Sequence, residues 1–259
     1  MIFADTLYIT LEKENALAVV DGETGQLLKT VPLGQRPRGI AFSKDQAHLY
    51  VAASDDDTIQ ILDATTLQVI GNLPSGDDPE LFKIHPNGLW LYVSNEDDNI
   101  VTVVDLNEKK VIAEIAVGVE PEGIAIARDG HWVVNTSETT NMVHWIDPQN
   151  QSIKDNTLVD PRPRAAEFSV DNQWLFVTSE IAGSLSRIDV STKQVSAKLN
   201  FNIAGVDDEL IQPVGVLAHP NNEMLFVALG PANRVAVVDI ETMTPGEGWS
   251  SECSSSPMR

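Results

Sequence analysis

A 42-residue period, four short apolar runs in each period and the lack of any helical apolar stripe predict an all-β fold of radially repeated four-stranded blades, a β-propeller. Two independent series carry the period. An apolar-apolar-Asp step ends at Asp21, Asp63, Asp105, Asp147, Asp189 and Asp239, and a proline recurs at Pro37, Pro79, Pro121, Pro163 and Pro213. Every spacing is 42 except the last of each series, which is 50, so both place one eight-residue insertion in the same unit, between residues 201 and 212.

The elements follow from this phase. In the unit opening at Pro37, strands are expected at residues 39–43, 49–53, 58–62 and 68–73. Lys44-Asp45, Asn87-Gly88, Asp129-Gly130, Asp171-Asn172 and Asn221-Asn222 mark the turn between the first two strands; most of these residues tolerate the positive φ of a tight hairpin. Residues 6–35 supply the last three strands of one blade. Complete blades begin near 37, 79, 121 and 163, and a further blade begins near 213. The propeller thus spans residues 1–244 with 22 strands. The segment 245–259 has five Ser in 15 residues and no alternation, so it reads as an aberrant or disordered tail unable to complete a blade.

Composition narrows the partners. With 17 Lys and Arg against 38 Asp and Glu, the formal charge is −21, and nucleic acid, which requires a basic face, is not an expected partner. No run of about 18 apolar residues offers a membrane span. No basic-then-apolar leader precedes residues 1–4, so the chain as it stands shows no signal peptide. Cys253 is the only cysteine and forms no internal disulfide.

The residues also resemble a known family. Leu91-Tyr92-Val93-Ser94-Asn95, Val103-Val104-Asp105 and Pro121-Glu122-Gly123-Ile124-Ala125 are similar to the YVTN repeat of bacterial and archaeal propellers. Arg36-Pro37-Arg38-Gly39-Ile40, Asp78-Pro79-Glu80-Leu81-Phe82, residues 134–142 and Gly230-Pro231-Ala232-Asn233 resemble, more narrowly, the β-propeller family associated with pyrroloquinoline-quinone-dependent catabolism. The resemblance covers residues 4 to about 244. It implies a periplasmic, seven-bladed propeller accompanying quinoprotein dehydrogenases and cytochromes c, truncated here to about six blades or fewer. Phe3-Ala4-Asp5 then looks like the remnant of a leader's cleavage region.

In a propeller the first strand of each blade lines the channel, so the residues flanking each proline stand at its mouth. Those before it are Arg36, Asp78, Glu120, Arg162 and Gln212; those after it are Arg38, Glu80, Glu122, Arg164 and Val214. Glu12, Glu96, Glu138 and Glu180 recur at one position of the turn between second and third strands. Arg36, Arg38, Glu80, Glu122, Glu138, Arg162 and Arg164 are therefore the expected ligand-binding residues, with guanidinium forks for a small anion or for a periplasmic redox protein. The competing explanation is self-neutralisation, Arg38 beside Glu80 and Glu122 beside Arg164.

Other groups point to less. Asp55-Asp56-Asp57 and Asp97-Asp98 lack the glycine and distal glutamate of a calcium loop, and no metal site is expected. His85 and His219, each before a proline, suit turns on the opposite rim, while His48, His131 and His144 are expected at strand surfaces. Trp90, Trp132, Trp145 and Trp174 read as sheet packing. No nucleophile elbow or phosphate loop is present, no cofactor is identified, and no catalytic residue is assigned. The expected function is a non-catalytic binding or scaffold propeller. The alternative is a propeller enzyme, a lactonase or a quinone-linked oxidoreductase component.

Overall fold

The computed structural model describes residues 6–246 and the backbone of residues 251–252. The fold is an all-β propeller of six sheets; among the described residues helix is confined to single 3-10 turns at Ser54–Asp56 and Asp208–Leu210. The chain divides into two compact units, Met1–Ala116 and Val117–Arg259.

The first unit holds three antiparallel sheets. The first has three strands, β1 (Thr6–Leu11), β2 (Ala16–Asp21) and β3 (Leu27–Pro32). The second has β4 (Pro37–Phe42), β5 (His48–Ala53), β6 (Thr58–Asp63) and β7 (Val69–Pro74), and the third β8 (Pro79–Ile84), β9 (Trp90–Asn95), β10 (Ile100–Asp105) and β11 (Lys110–Ala116). Their faces bury one another. Leu17 and Val19 pack with Leu49, Val51 and Leu62, and Ile59, Ile61 and Leu73 pack with Phe82, Leu91 and Val93. Each such apolar side chain contributes about 1.5–3 kcal/mol when withdrawn from water.

The second unit repeats the plan: β12 (Pro121–Ile126), β13 (Val133–Ser137), β14 (Met142–Asp147) and β15 (Ser152–Leu158); β16 (Pro163–Phe168), β17 (Trp174–Ser179), β18 (Ser184–Asp189) and β19 (Gln194–Asn200); β20 (Pro213–Ala218), β21 (Met224–Leu229), β22 (Arg234–Asp239) and β23 (Ser251–Glu252). Trp145 is fully buried, packs edge-on against Trp132 and Phe168, and donates from Nε1 to Thr157 Oγ1 at 2.9 Å. The tail differs from expectation at one point: Ser251 and Glu252 pair with Val235 and Arg234 and give the last sheet a fourth strand. A two-residue strand has no alternation to read. The rest of the expected disordered tail beyond Gly246, and the leader remnant at residues 3–5, lie outside the described residues.

Both sequence series have a backbone cause. Each Asp closing a third strand accepts N–H groups two or three residues on, as Asp63 Oδ1 does from Thr65 and Thr66 at 3.1 and 2.7 Å, which turns the chain into the fourth strand. Each proline opens a first strand, where no N–H is required, and is followed by a register shift: Pro37 faces Ala53 while Ile40 faces Val51. The same bulge follows Pro79, Pro121 and Pro163.

Candidate functional site

The residue before each of these four prolines is left-handed, with φ of 49° at Arg36, 53° at Asp78, 56° at Glu120 and 61° at Arg162. Backbone hydrogen bonds hold it there. The carbonyls of Arg36, Asp78, Glu120 and Arg162 accept from the N–H groups of Ser54, Glu96, Glu138 and Glu180 at 2.8–3.2 Å. The N–H groups of Arg36, Asp78 and Arg162 donate to Asn15 Oδ1, Asp57 Oδ1 and Asn141 Oδ1 at 2.9, 3.0 and 3.1 Å. The residue after the proline falls on the bulge, which aims Arg38, Glu80, Glu122 and Arg164 at their neighbours. Glycine at 39 and 123 is required by this approach: a Cβ on Gly39 would lie 2.9 Å from the Glu80 carbonyl oxygen, and one on Gly123 would strike that of Arg164.

Each unit thereby builds one arginine–carboxylate cluster. In the first, Arg36 Nε lies 2.8 Å from Asp55 Oδ1, while its Nη2 contacts Asp78 and lies 3.1 Å from Glu80 Oε1. Arg38 Nε meets the other oxygen of Glu80, and its Nη1 lies 3.3 Å from Glu12 Oε2. In the second, Arg162 Nε is 2.8 Å from Glu138 Oε2 and 3.1 Å from Glu180 Oε2. Arg164 reaches Glu122 Oε1 at 3.1 Å, Glu138 Oε1 at 2.5 Å and Glu180 Oε2 at 3.7 Å. Glu80, Glu122 and Glu138 are buried. Burial alone disfavours the charge on Arg36 and Arg164, yet Glu80 and Asp78 in one case, and Glu122, Glu138 and Glu180 in the other, outweigh it and raise both guanidiniums above their ordinary pKa.

All seven expected site residues thus fall into these clusters, Arg36, Arg38 and Glu80 in the first unit and Glu122, Glu138, Arg162 and Arg164 in the second. The self-neutralising pairs anticipated from the repeat, Arg38 with Glu80 and Arg164 with Glu122, are both formed. Four further carboxylates, Glu12, Asp55, Asp78 and Glu180, join as ion-pair partners. Carboxylate oxygens of Asp78, Glu80 and Glu96 approach within 4.8 Å of one another, but Arg36 and Arg38 already engage the first two. Of the acidic run, Asp55 pairs with Arg36, Asp56 Oδ2 accepts from Gln35 N–H at 2.8 Å and Asp57 caps Asp78.

The histidines sort by repeat position. His85 and His219 each accept a turn N–H through Nδ1, from Asn87 and Asn221 at 3.2 Å. His131 is exposed beside Asp129. His144 corrects the expectation of a surface position: it is buried in β14, at the repeat position that Gln60 holds in β6, where the ring accepts a loop N–H from Gly118. Trp132 and Trp174 line a cleft of about 490 Å³, with Lys193 Nζ 4.4 Å over the first ring and Arg187 Cζ 4.3 Å over the second, so a cation already covers a face of each.

Residues 44–156 match the family described as Cytochrome D1 heme domain. The solved structure of Kuenenia stuttgartiensis hydrazine synthase superposes on 91% of this chain and 73% of its own with a TM-score of 0.82, at 22% sequence identity, a likeness of fold. No curated protein matches the sequence. Within the matched segment His144 has both ring nitrogens hydrogen-bonded, His85 Nδ1 serves its turn, His131 is exposed, and His48 stands among Lys44, Asp45 and Asn87 in a cleft of about 470 Å³. No helix among the described residues is long and apolar enough to cross a membrane.

Proposed function

We propose that this protein is a non-catalytic binding propeller of the periplasmic, quinoprotein-associated YVTN type, and that each of its clusters is a docking point for the basic face of a redox protein. One observation carries the reading: carboxylates outnumber guanidiniums in both clusters, Glu12, Asp55, Asp78 and Glu80 around Arg36 and Arg38, and Glu122, Glu138 and Glu180 around Arg162 and Arg164. A small anion would have to displace a carboxylate from a guanidinium and enter a field of its own sign. A cationic side chain adds to the network instead, and the formal charge of −21 steers it inward. The resemblance to the quinone-associated family and the match to a haem-domain family support a redox partner. Catalysis of the lactonase or quinone-linked kind is less well supported, because no imidazole joins either cluster and each of its buried carboxylates is tied to a guanidinium.

The test is charge reversal. Asp55→Lys together with Glu12→Lys, two exposed carboxylates of the first cluster, should weaken binding to a basic c-type cytochrome at least about tenfold at low salt, whereas Glu108→Lys, on an exposed turn outside the clusters, should not. Equal binding by all three proteins would reject the docking surface.

A further inference from the structure

Two loops that lead into the clusters are pinned by different side chains at the same repeat position. Gly34 N–H donates to Gln60 Oε1 at 2.8 Å, and Gly118 N–H donates to His144 Nε2 at 2.9 Å. We propose that His144 is a proton-operated latch: protonation in acid expels the Gly118 N–H, loosens residues 117–120 and shifts Glu122 in the Arg164 cluster.

The geometry fixes the tautomer. With Nε2 accepting, the imidazole proton resides on Nδ1, which donates to Asn156 Oδ1 at 2.6 Å. A second proton would have to go on Nε2, where it meets another donor. The ring is buried between β13 and β15 and flanked in register by Asn135 and Asn156, both uncharged. The charged groups on the surrounding elements are committed elsewhere or displaced: Glu138 binds Arg162 and Arg164, Glu120 accepts from Thr139, and Asp155 is exposed one residue along β15. No carboxylate among the described residues hydrogen-bonds the ring. Burial accordingly lowers the His144 pKa, with the Asn156 bond opposing.

The latch lies two residues before Glu120. Beyond the histidine this loop is held by Glu120 and Val119 carbonyls, accepting from Glu138 and Thr139 at 2.9 and 3.3 Å. Gly118 allows the close seat, since a Cβ there would lie 2.8 Å from Ser137 Cβ and 2.9 Å from His144 Nε2. Gln60 does the same work in the first unit without titrating, so the chain carries its own control.

The consequence for docking rests on the acidic-cluster reading; the latch does not. The test is amide hydrogen exchange of the full chain by NMR at about pH 7.5 and 5. The protection factor of Gly118 should fall at least about tenfold while that of Gly34 holds, and in His144→Gln the Gly118 value should hold as well. An unchanged Gly118 in the native protein, or an equal fall in the variant, overturns the proposal. Should the variant not fold, the ring nitrogens of the native protein decide: a bare Nε2 at about pH 7.5 supports the latch and a proton there refutes it. Loss of cytochrome binding with the pH effect intact would reject the docking surface and leave the latch standing.

Discussion

Arg164 reaches back one repeat to Glu122, with Nη2 3.1 Å from Oε1, whereas Arg38 reaches forward one repeat to Glu80. In both cases the carboxylate is buried and the arginine helps neutralise it, and Arg164 serves two buried carboxylates at once, Glu122 and Glu138. Arg164→Ala is expected to cost about 3–5 kcal/mol in urea unfolding, and Arg162→Ala, whose side chain is 44% exposed, about 1 kcal/mol or less. Equal losses would show that burial does not govern the clusters.

Close approach at the bulges gives a second expectation. Gly123→Ala drives a Cβ against the Arg164 carbonyl and should cost about 1–3 kcal/mol, while Gly71→Ala, whose Cβ would have only Ile61 Cδ1 near, at 3.9 Å, should be close to neutral. Thermal melts of the two variants compare them directly, and an unaffected Gly123→Ala protein would mean that the first strands can move apart.

Stability should fall in acid in two steps. A His144 pKa below its unfolded value means that protonation favours the unfolded chain, so its contribution is complete above about pH 6.5 and declines as pH drops from there. Asp63 and Asp189 are lowered chiefly by bonds from Thr66 and Ser191 respectively, so their contribution is complete above about pH 4 and is lost as pH falls through their depressed values. Denaturant midpoints between about pH 8 and 2 should show both declines, and His144→Gln should remove only the first. A midpoint that is flat between about pH 7 and 5 would contradict the assignment for His144.

What was legible in the sequence was what the backbone imposes. Pro37 and its successors recur because a bulged first strand begins there, and Asp63 and its successors recur because each caps a turn; both need a particular residue type, so both leave a period. The positions of Arg36, Arg38, Arg162 and Arg164 followed directly. So did the pairs Arg38–Glu80 and Arg164–Glu122, since each of these arginines has one adjacent repeat with a carboxylate on the bulge; that Asp55, Glu12 and Glu180 join the same guanidiniums did not, because their reach depends on turn geometry that leaves no period. His144 was missed for another reason: read alone it has no ligand spacing, and only its phase with Gln60, set against Gly34 and Gly118, reveals that this position pins a loop N–H.

The central claim, that the clusters recognise positive rather than negative charge, is tested most directly by titrating the native protein in parallel with a basic c-type cytochrome and with phosphate at about 20 and 200 mM salt. The account predicts that the cytochrome binds at the lower salt and weakens at least about tenfold at the higher, with no heat from phosphate beyond dilution. Saturable phosphate binding with no cytochrome binding at either salt would contradict it.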